Sequence, residues 1–67
     1  MTEKEARLEQ AIRQVAETKR FIAEQRERIE QLKAAGISTV EAEKTLQVLC
    51  SSLLLLERYE KFVRKTP

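Results

Sequence analysis

The chain has 67 residues, and its 13 Lys and Arg residues nearly balance its 11 Asp and Glu residues. A net charge of +2 leaves no strong overall attraction for nucleic acid, so any electrostatic partner must recognise a local pattern. One Cys cannot form an internal disulfide, and one Cys with no His cannot build a zinc site. Oligomerisation is the remaining usual way to stabilise so small a chain.

The first predicted element is a long helix. Charged residues make up 36% of the chain, with a single Gly and a single Pro, which is typical of long exposed helices. Thr2 and Glu5 have the spacing of a capping box, so helix 1 is expected from about residue 3 to residue 35. Seven-residue spacing predicts its buried seam, which comprises Leu8, Ala11, Val15, Thr18, Ile22, Gln25, Ile29 and Leu32.

Two members of that seam are polar. Thr18 and Gln25 stand where apolar side chains are expected. We interpret them as a hydrogen-bonded layer that fixes the register of the helices, and the alternative interpretation is a polar pocket inside a helix bundle.

A short turn is predicted at residues 36–39. Gly36 is suited to the left-handed conformation that follows a helix end, and Ile37 supplies the apolar contact of a Schellman motif. Ser38 or Thr39 is expected to cap the next helix, and Ser38 and Glu41 have capping-box spacing, so helix 2 is expected from about residue 40 to residue 64. A turn this short makes the helices antiparallel, so the sequence predicts an all-α chain in which residues 1–67 form one αα-hairpin domain.

Helix 2 has more apolar surface than one neighbouring helix can cover. Beside its seam runs a second apolar stripe, and an arc this wide normally packs against two or more helices. The sequence therefore predicts a homodimer in which two hairpins form a four-helix bundle. The predicted seam includes Ala42 and Val63, and the predicted self-association residues are Leu46, Val48, Leu49, Leu53, Leu55, Leu56, Tyr59 and Phe62.

Opposite charges at helical spacing are expected to pair. Between the helices, Lys33 is expected near Glu43, and Lys19 near Glu57. Exposed pairs of this kind contribute about 0–1 kcal/mol each, so they set the register more than the stability. The pairs expected within a helix are Glu3 with Arg7, Glu9 with Arg13, Glu24 with Arg28, Glu57 with Lys61, and Glu60 with Arg64.

The sequence contains no recognisable catalytic arrangement. Cys50 lies among leucines and has no His to act as a base, so we interpret it as a small buried hydrophobic residue, and the alternative is a contact between subunits across a two-fold axis. There is no glycine-rich phosphate loop and no metal-ligand spacing. We therefore expect a protein that is not an enzyme, with no metal, no cofactor and no small-molecule substrate.

The apolar segments are short. The longest uninterrupted run is Leu53–Leu56, far below the ~20 residues that span a bilayer. The first seven residues mix both charges and precede no apolar segment, so no secretory signal is predicted. An unpaired Cys suits a reducing compartment. We expect a cytoplasmic protein without membrane contact.

One face of helix 1 suggests a different function. Arg7, Gln14, Phe21 and Arg28 recur every seven residues, so they share a face. An aromatic ring between cationic side chains is a platform on which RNA phosphates and a stacked base could bind. The alternative is that Phe21 packs at the edge of a bundle while the arginines are solvated.

Part of the chain resembles a family of small proteobacterial helical proteins with the pattern IAEQ…RI..L.A.G..T..AE..L. The resemblance covers about residues 20–56 and implies a helical hairpin with no assigned activity. In architecture alone, the chain is similar to ROP-type RNA-binding dimers, which consist of two helical hairpins. The residues that carry the first resemblance are Ile22-Ala23-Glu24-Gln25, Arg28-Ile29, Leu32, Ala34-Ala35-Gly36 and Thr39-Val40-Glu41-Ala42-Glu43.

Two functional hypotheses follow from the sequence. The first is a structural or protein-interaction module that self-associates through helix 2 and could also dock a helix of another protein, for which Leu54, Leu55, Tyr59 and Phe62 are the candidate contacts. The second is a small RNA- or DNA-binding regulator that uses the basic and aromatic face of helix 1.

Overall fold

Two long antiparallel helices make up nearly all of the fold. A computed structural model describes residues 1–67, with helix α1 at Glu3–Ala34 and helix α2 at Val40–Lys65. Gln25 contacts Ala42 near the turn, and Lys4 and Val63 line one cleft at the far end, so the helices pack along their length. The predicted all-α hairpin is confirmed. The molecule measures 52 × 17 × 11 Å.

The predicted capping box at the start of α1 is confirmed. The backbone N–H of Glu5 donates to Thr2 Oγ1 at 3.1 Å, and the Thr2 N–H donates to the Glu5 carboxylate at 3.3 Å. These two bonds satisfy backbone N–H groups that have no partner within the helix. The N-terminus of α1 is therefore capped.

A Schellman motif ends α1, as Gly36 predicted. Gly36 has a φ angle of 71°, and its N–H donates to the Lys33 carbonyl at 3.0 Å. The Ile37 N–H donates to the Leu32 carbonyl at 2.9 Å. Both bonds of the motif are present, so the chain leaves α1 in a fixed direction.

The predicted capping box between Ser38 and Glu41 is wrong. The residue that caps α2 is Thr39, and its side chain makes no capping hydrogen bond. Ser38 Oγ instead accepts a bond from the Val40 N–H at 3.4 Å. With the cap at Thr39, the third helical residue is Ala42, which has no carboxylate to return the bond. Thr39 is the other cap residue that the sequence predicts, and its position as the cap is the one observed.

The core is small. Six of the 67 residues are buried, and every one of them is Ala, Val or Ile. None of the eight leucines is buried, and the four in the seam of α2 are only half-buried against α1. The buried residues are Ala11, Val15, Ile22, Ile29, Ala42 and Val63, all of them in the seams predicted from the sequence.

The hairpin exposes more surface than is usual for a folded monomer of its mass. Its accessible area is 5331 Å² at 7.8 kDa, whereas the trend for folded monomers gives about 4,400 Å² at that mass. The difference is roughly 900 Å². A single hairpin is therefore under-buried for a folded chain of this size.

Charge does not hold the two helices together. Every ion pair in the structure lies within one helix. The predicted contacts of Lys33 with Glu43 and of Lys19 with Glu57 are not formed, and Lys33 instead approaches Glu30 at 3.8 Å. Within the helices, the pairs Glu3–Arg7, Glu9–Arg13 and Glu60–Arg64 form, whereas Glu24–Arg28 and Glu57–Lys61 do not.

Gln25 provides the specific polar contact between the helices. Its side-chain Nε2 donates to the Ala42 carbonyl at 2.9 Å in a half-buried position. Thr18, the other polar residue of the seam, is half-buried. The Gln25 bond ties α1 to the first turn of α2, whereas the Thr18 side chain makes no hydrogen bond, so the predicted polar layer forms at Gln25 only.

Replacing Gly36 should weaken the turn. A Cβ at this position would contact nothing within 4 Å, so the cost of Gly36→Ala comes from the positive φ angle alone. We expect a loss of about 1 kcal/mol of unfolding free energy. Gly36→Asn should cost less, because Asn tolerates this conformation. Thermal unfolding at equal protein concentrations measures both, and equal losses for the two variants would contradict this explanation.

Replacing Gln25 by Glu should destabilise the hairpin. Gln25→Glu keeps the shape but turns a donor into an acceptor that faces the Ala42 carbonyl. We expect a loss of about 1–3 kcal/mol at neutral pH in urea unfolding. Gln47→Glu is the matched control, because Gln47 is exposed, and it should change stability by less than about 0.5 kcal/mol. Equal effects of the two substitutions would show that Gln25 does not set the register.

Candidate self-association face

One row of residues on α2 faces away from the hairpin core. Residues spaced alternately three and four apart share a helix face, and this row lies about 100° round α2 from the seam that contacts α1. No charged residue interrupts it. We call it the outer row, and it comprises Thr45, Val48, Ser52, Leu55, Tyr59 and Phe62.

The large side chains of the outer row are exposed. Val48, Leu55 and Phe62 have 64%, 65% and 63% of their surface accessible, and Tyr59 has 45%. Scattered exposed apolar residues are normal, but four of them along one face form a continuous patch. The hairpin itself leaves this patch without a covering element.

The opposite side of α2 is charged. Leu54 is as exposed as Leu55, at 62%, but it shares its side of the helix with Glu57 and Lys61. Cys50 lies at the edge of the seam on this side and is half-buried, so its predicted burial is only partial. Its sulfur therefore faces away from the outer row.

The structure divides the eight predicted self-association residues into two groups. Leu46, Leu49, Leu53 and Leu56 are half-buried against α1 in the hairpin seam. The remaining four, Val48, Leu55, Tyr59 and Phe62, are the large members of the outer row. The sequence placed the two groups in separate stripes but assigned both of them to self-association.

The basic and aromatic residues of α1 lie beside the outer row. Arg7 lines a cleft with Tyr59 and Phe62, and Arg28 lines another with Thr45. The predicted nucleic-acid face and the outer row are therefore neighbours on one broad face of the hairpin, and a partner bound to one would approach the other. We call the α1 part, Arg7, Gln14, Phe21 and Arg28, the α1 row.

Carboxylates interleave with the cations of the α1 row. Arg7 is paired with Glu3, and the cleft lined by Phe21 and Arg28 also contains Glu24 and Glu27. The ring of Phe21 is 42% exposed, and the Arg20 guanidinium lies over it with 5.5 Å between its carbon and the ring centroid. The row therefore has an exposed ring with a stacked cation, but no concentrated positive field.

No group of three or more His, Cys, Asp or Glu side chains is arranged to hold a metal ion. Neither helix has a stretch that is long and apolar enough to cross a membrane.

Comparison with known proteins adds no relative. No protein-family model matches the chain, and no curated protein or solved structure matches it. The resemblance to the proteobacterial hairpin family stays a prediction, and the function must be argued from the face itself.

Proposed function

We propose that this chain is a non-enzymatic interaction module that pairs with a second copy of itself through the outer row, so that two hairpins form a four-helix bundle. The observation that carries the proposal is the four exposed large side chains of an uncharged row on α2, in a hairpin that buries only six residues. A row of this kind is the usual second packing surface of a helix in a bundle.

The area available matches what such a dimer needs. A standard interface removes about 800 Å² from each partner, which is close to the roughly 900 Å² by which the hairpin exceeds the monomer trend. A face of 52 × 17 Å is large enough to lose that area. Pairing would therefore bring the surface of each chain close to that of an ordinary folded protein.

The energies favour a reversible dimer. Fully burying a large apolar side chain contributes about 1.5–3 kcal/mol, and each dimer would bury two copies of four such residues that are partly exposed in the hairpin. The gross gain is on the order of 10 kcal/mol, while association costs about 4–15 kcal/mol. We therefore expect dimerisation to depend on protein concentration. A helix of another protein would compete for the same row.

Two adjacent leucines provide a matched test. Leu55 lies in the outer row and Leu54 on the charged side, and their exposures are nearly equal. We expect the wild-type protein to have a mass near twice 7.8 kDa at high concentration. Leu55→Glu should weaken the dimer by more than about 100-fold, because each dimer would hold two buried unpaired charges. Leu54→Glu should leave the dimer unchanged.

Light scattering after gel filtration, over a wide concentration range, measures these masses, and circular dichroism checks that each variant stays helical. A wild-type monomer at all concentrations would sink the proposal. If Leu54→Glu dissociates the dimer and Leu55→Glu does not, the interface lies on the other side of α2.

The second candidate function is RNA or DNA binding through the α1 row. The exposed ring of Phe21 and the Arg20 guanidinium over it favour this candidate. The carboxylates of Glu24 and Glu27, in the cleft that Phe21 and Arg28 line, oppose it. We rank it below self-association for that reason.

Nucleic-acid binding has its own test. We expect pools of RNA and DNA not to bind at low salt, measured by fluorescence anisotropy. Affinity that falls steeply with salt, and that Arg28→Ala lowers, would instead establish the second candidate. Arg13→Ala is the matched control, because Arg13 is exposed on the outward side of α1 and pairs with Glu9.

A further inference from the structure

We infer that the two copies pack with α2 of one hairpin antiparallel to α2 of the other, about a two-fold axis perpendicular to the helices that passes between Ser52 and Leu55. The inference rests on the proposed self-association and adds the partner's orientation and the residue contacts. The partner that this face fits is a second copy of the chain.

Two symmetric arrangements bring the same face of both hairpins together. With the two-fold axis perpendicular to the helices, α2 packs on α2 and α1 packs on α1. With the axis along the helices, α1 of each hairpin packs on α2 of the other. The polarity and the size of the side chains on this face favour one of these arrangements.

The α1 half of the face is polar, whereas the outer row of α2 has no charge. Between Arg7 and Arg28, this side of α1 carries Gln10, Gln14, Glu17, Phe21 and Glu24. Gln25 is level with Ala42, so in the crossed arrangement Glu17 would lie against Val48 and Ser52, whereas with α1 on α1 it lies near Gln10 of the other copy. Burying a carboxylate against apolar side chains is costly, whereas an amide can donate a hydrogen bond to it, so the arrangement that places like against like is favoured.

Side-chain size along the outer row supports the same orientation. The row begins with smaller residues and ends with larger ones. Antiparallel pairing therefore places one small and one large side chain in every layer, which keeps the helices evenly spaced. The layers pair Thr45 of one copy with Phe62 of the other, Val48 with Tyr59, and Ser52 with Leu55.

The α1 row is centred on the same two-fold axis as the outer row. Gln14 is level with the midpoint between Ser52 and Leu55, because residues of the two helices that lie level, such as Gln25 and Ala42, have numbers with a constant sum. Arg7 and Phe21 lie seven residues to either side of Gln14. In the dimer, Gln14 therefore approaches its own copy, and Arg7 of one chain approaches Phe21 of the other, where a guanidinium and an aromatic ring attract each other.

Disulfide trapping between differently labelled chains tests this orientation. Both chains carry Cys50→Ser, which removes the native thiol. A chain with Ser52→Cys is mixed with a tagged chain with Leu55→Cys, and the mixture is oxidised. A second mixture combines Gln14→Cys with tagged Ser52→Cys, two positions that the crossed arrangement would bring together. Each chain carries a single Cys, so no disulfide can form within one helix, and the tag identifies the mixed dimer.

We expect the first mixture to form a disulfide-linked heterodimer at least tenfold faster than the second, measured on non-reducing gels. The reverse preference, with light scattering still showing a dimer, would overturn the antiparallel orientation and leave self-association standing. A monomer by light scattering would overturn both. Circular dichroism of each variant before oxidation confirms that the helices are intact.

Discussion

One neighbouring helix covers only part of the circumference of another, and α2 has apolar residues on more than that part. The hairpin uses the seam of Leu46, Leu49, Leu53 and Leu56 and leaves the outer row of Thr45 to Phe62 uncovered. This mismatch explains why no leucine of α2 is buried and why the accessible surface exceeds the monomer trend. It also explains why the proposed function is a contact with a second chain rather than a reaction.

The hairpin depends on backbone and amide hydrogen bonds more than on charge. The two Schellman bonds at Gly36 set the direction in which the chain turns, and the Gln25 bond to the Ala42 carbonyl sets how far α2 slides along α1. The ion pairs stay within single helices, where each contributes about 0.2–0.5 kcal/mol. Long flexible side chains such as Lys33 therefore pair locally with Glu30 instead of bridging the helices.

The two functional hypotheses use one face of the molecule. Arg7 shares a cleft with Tyr59 and Phe62, so a dimer built on the outer row would also approach the α1 row. Self-association and nucleic-acid binding through these residues would therefore compete in a closed bundle. The two rows are separate stripes on separate helices in the sequence. The hairpin brings them side by side, so the competition depends on its geometry.

The sequence by itself determined the helices, the turn and both apolar stripes, because heptad spacing, the Thr2 cap and Gly36 are local signals that act through neighbouring residues. It left the cap of α2 open between Ser38 and Thr39, and the capping box expected from the spacing of Ser38 and Glu41 does not form because the helix is capped at Thr39. Only the tertiary structure decided which apolar residues stay free and that Arg7 lies beside Phe62. The physical reason is that spacing along one helix fixes which side chains share a face, whereas the rotation and register of the second helix fix what each face meets.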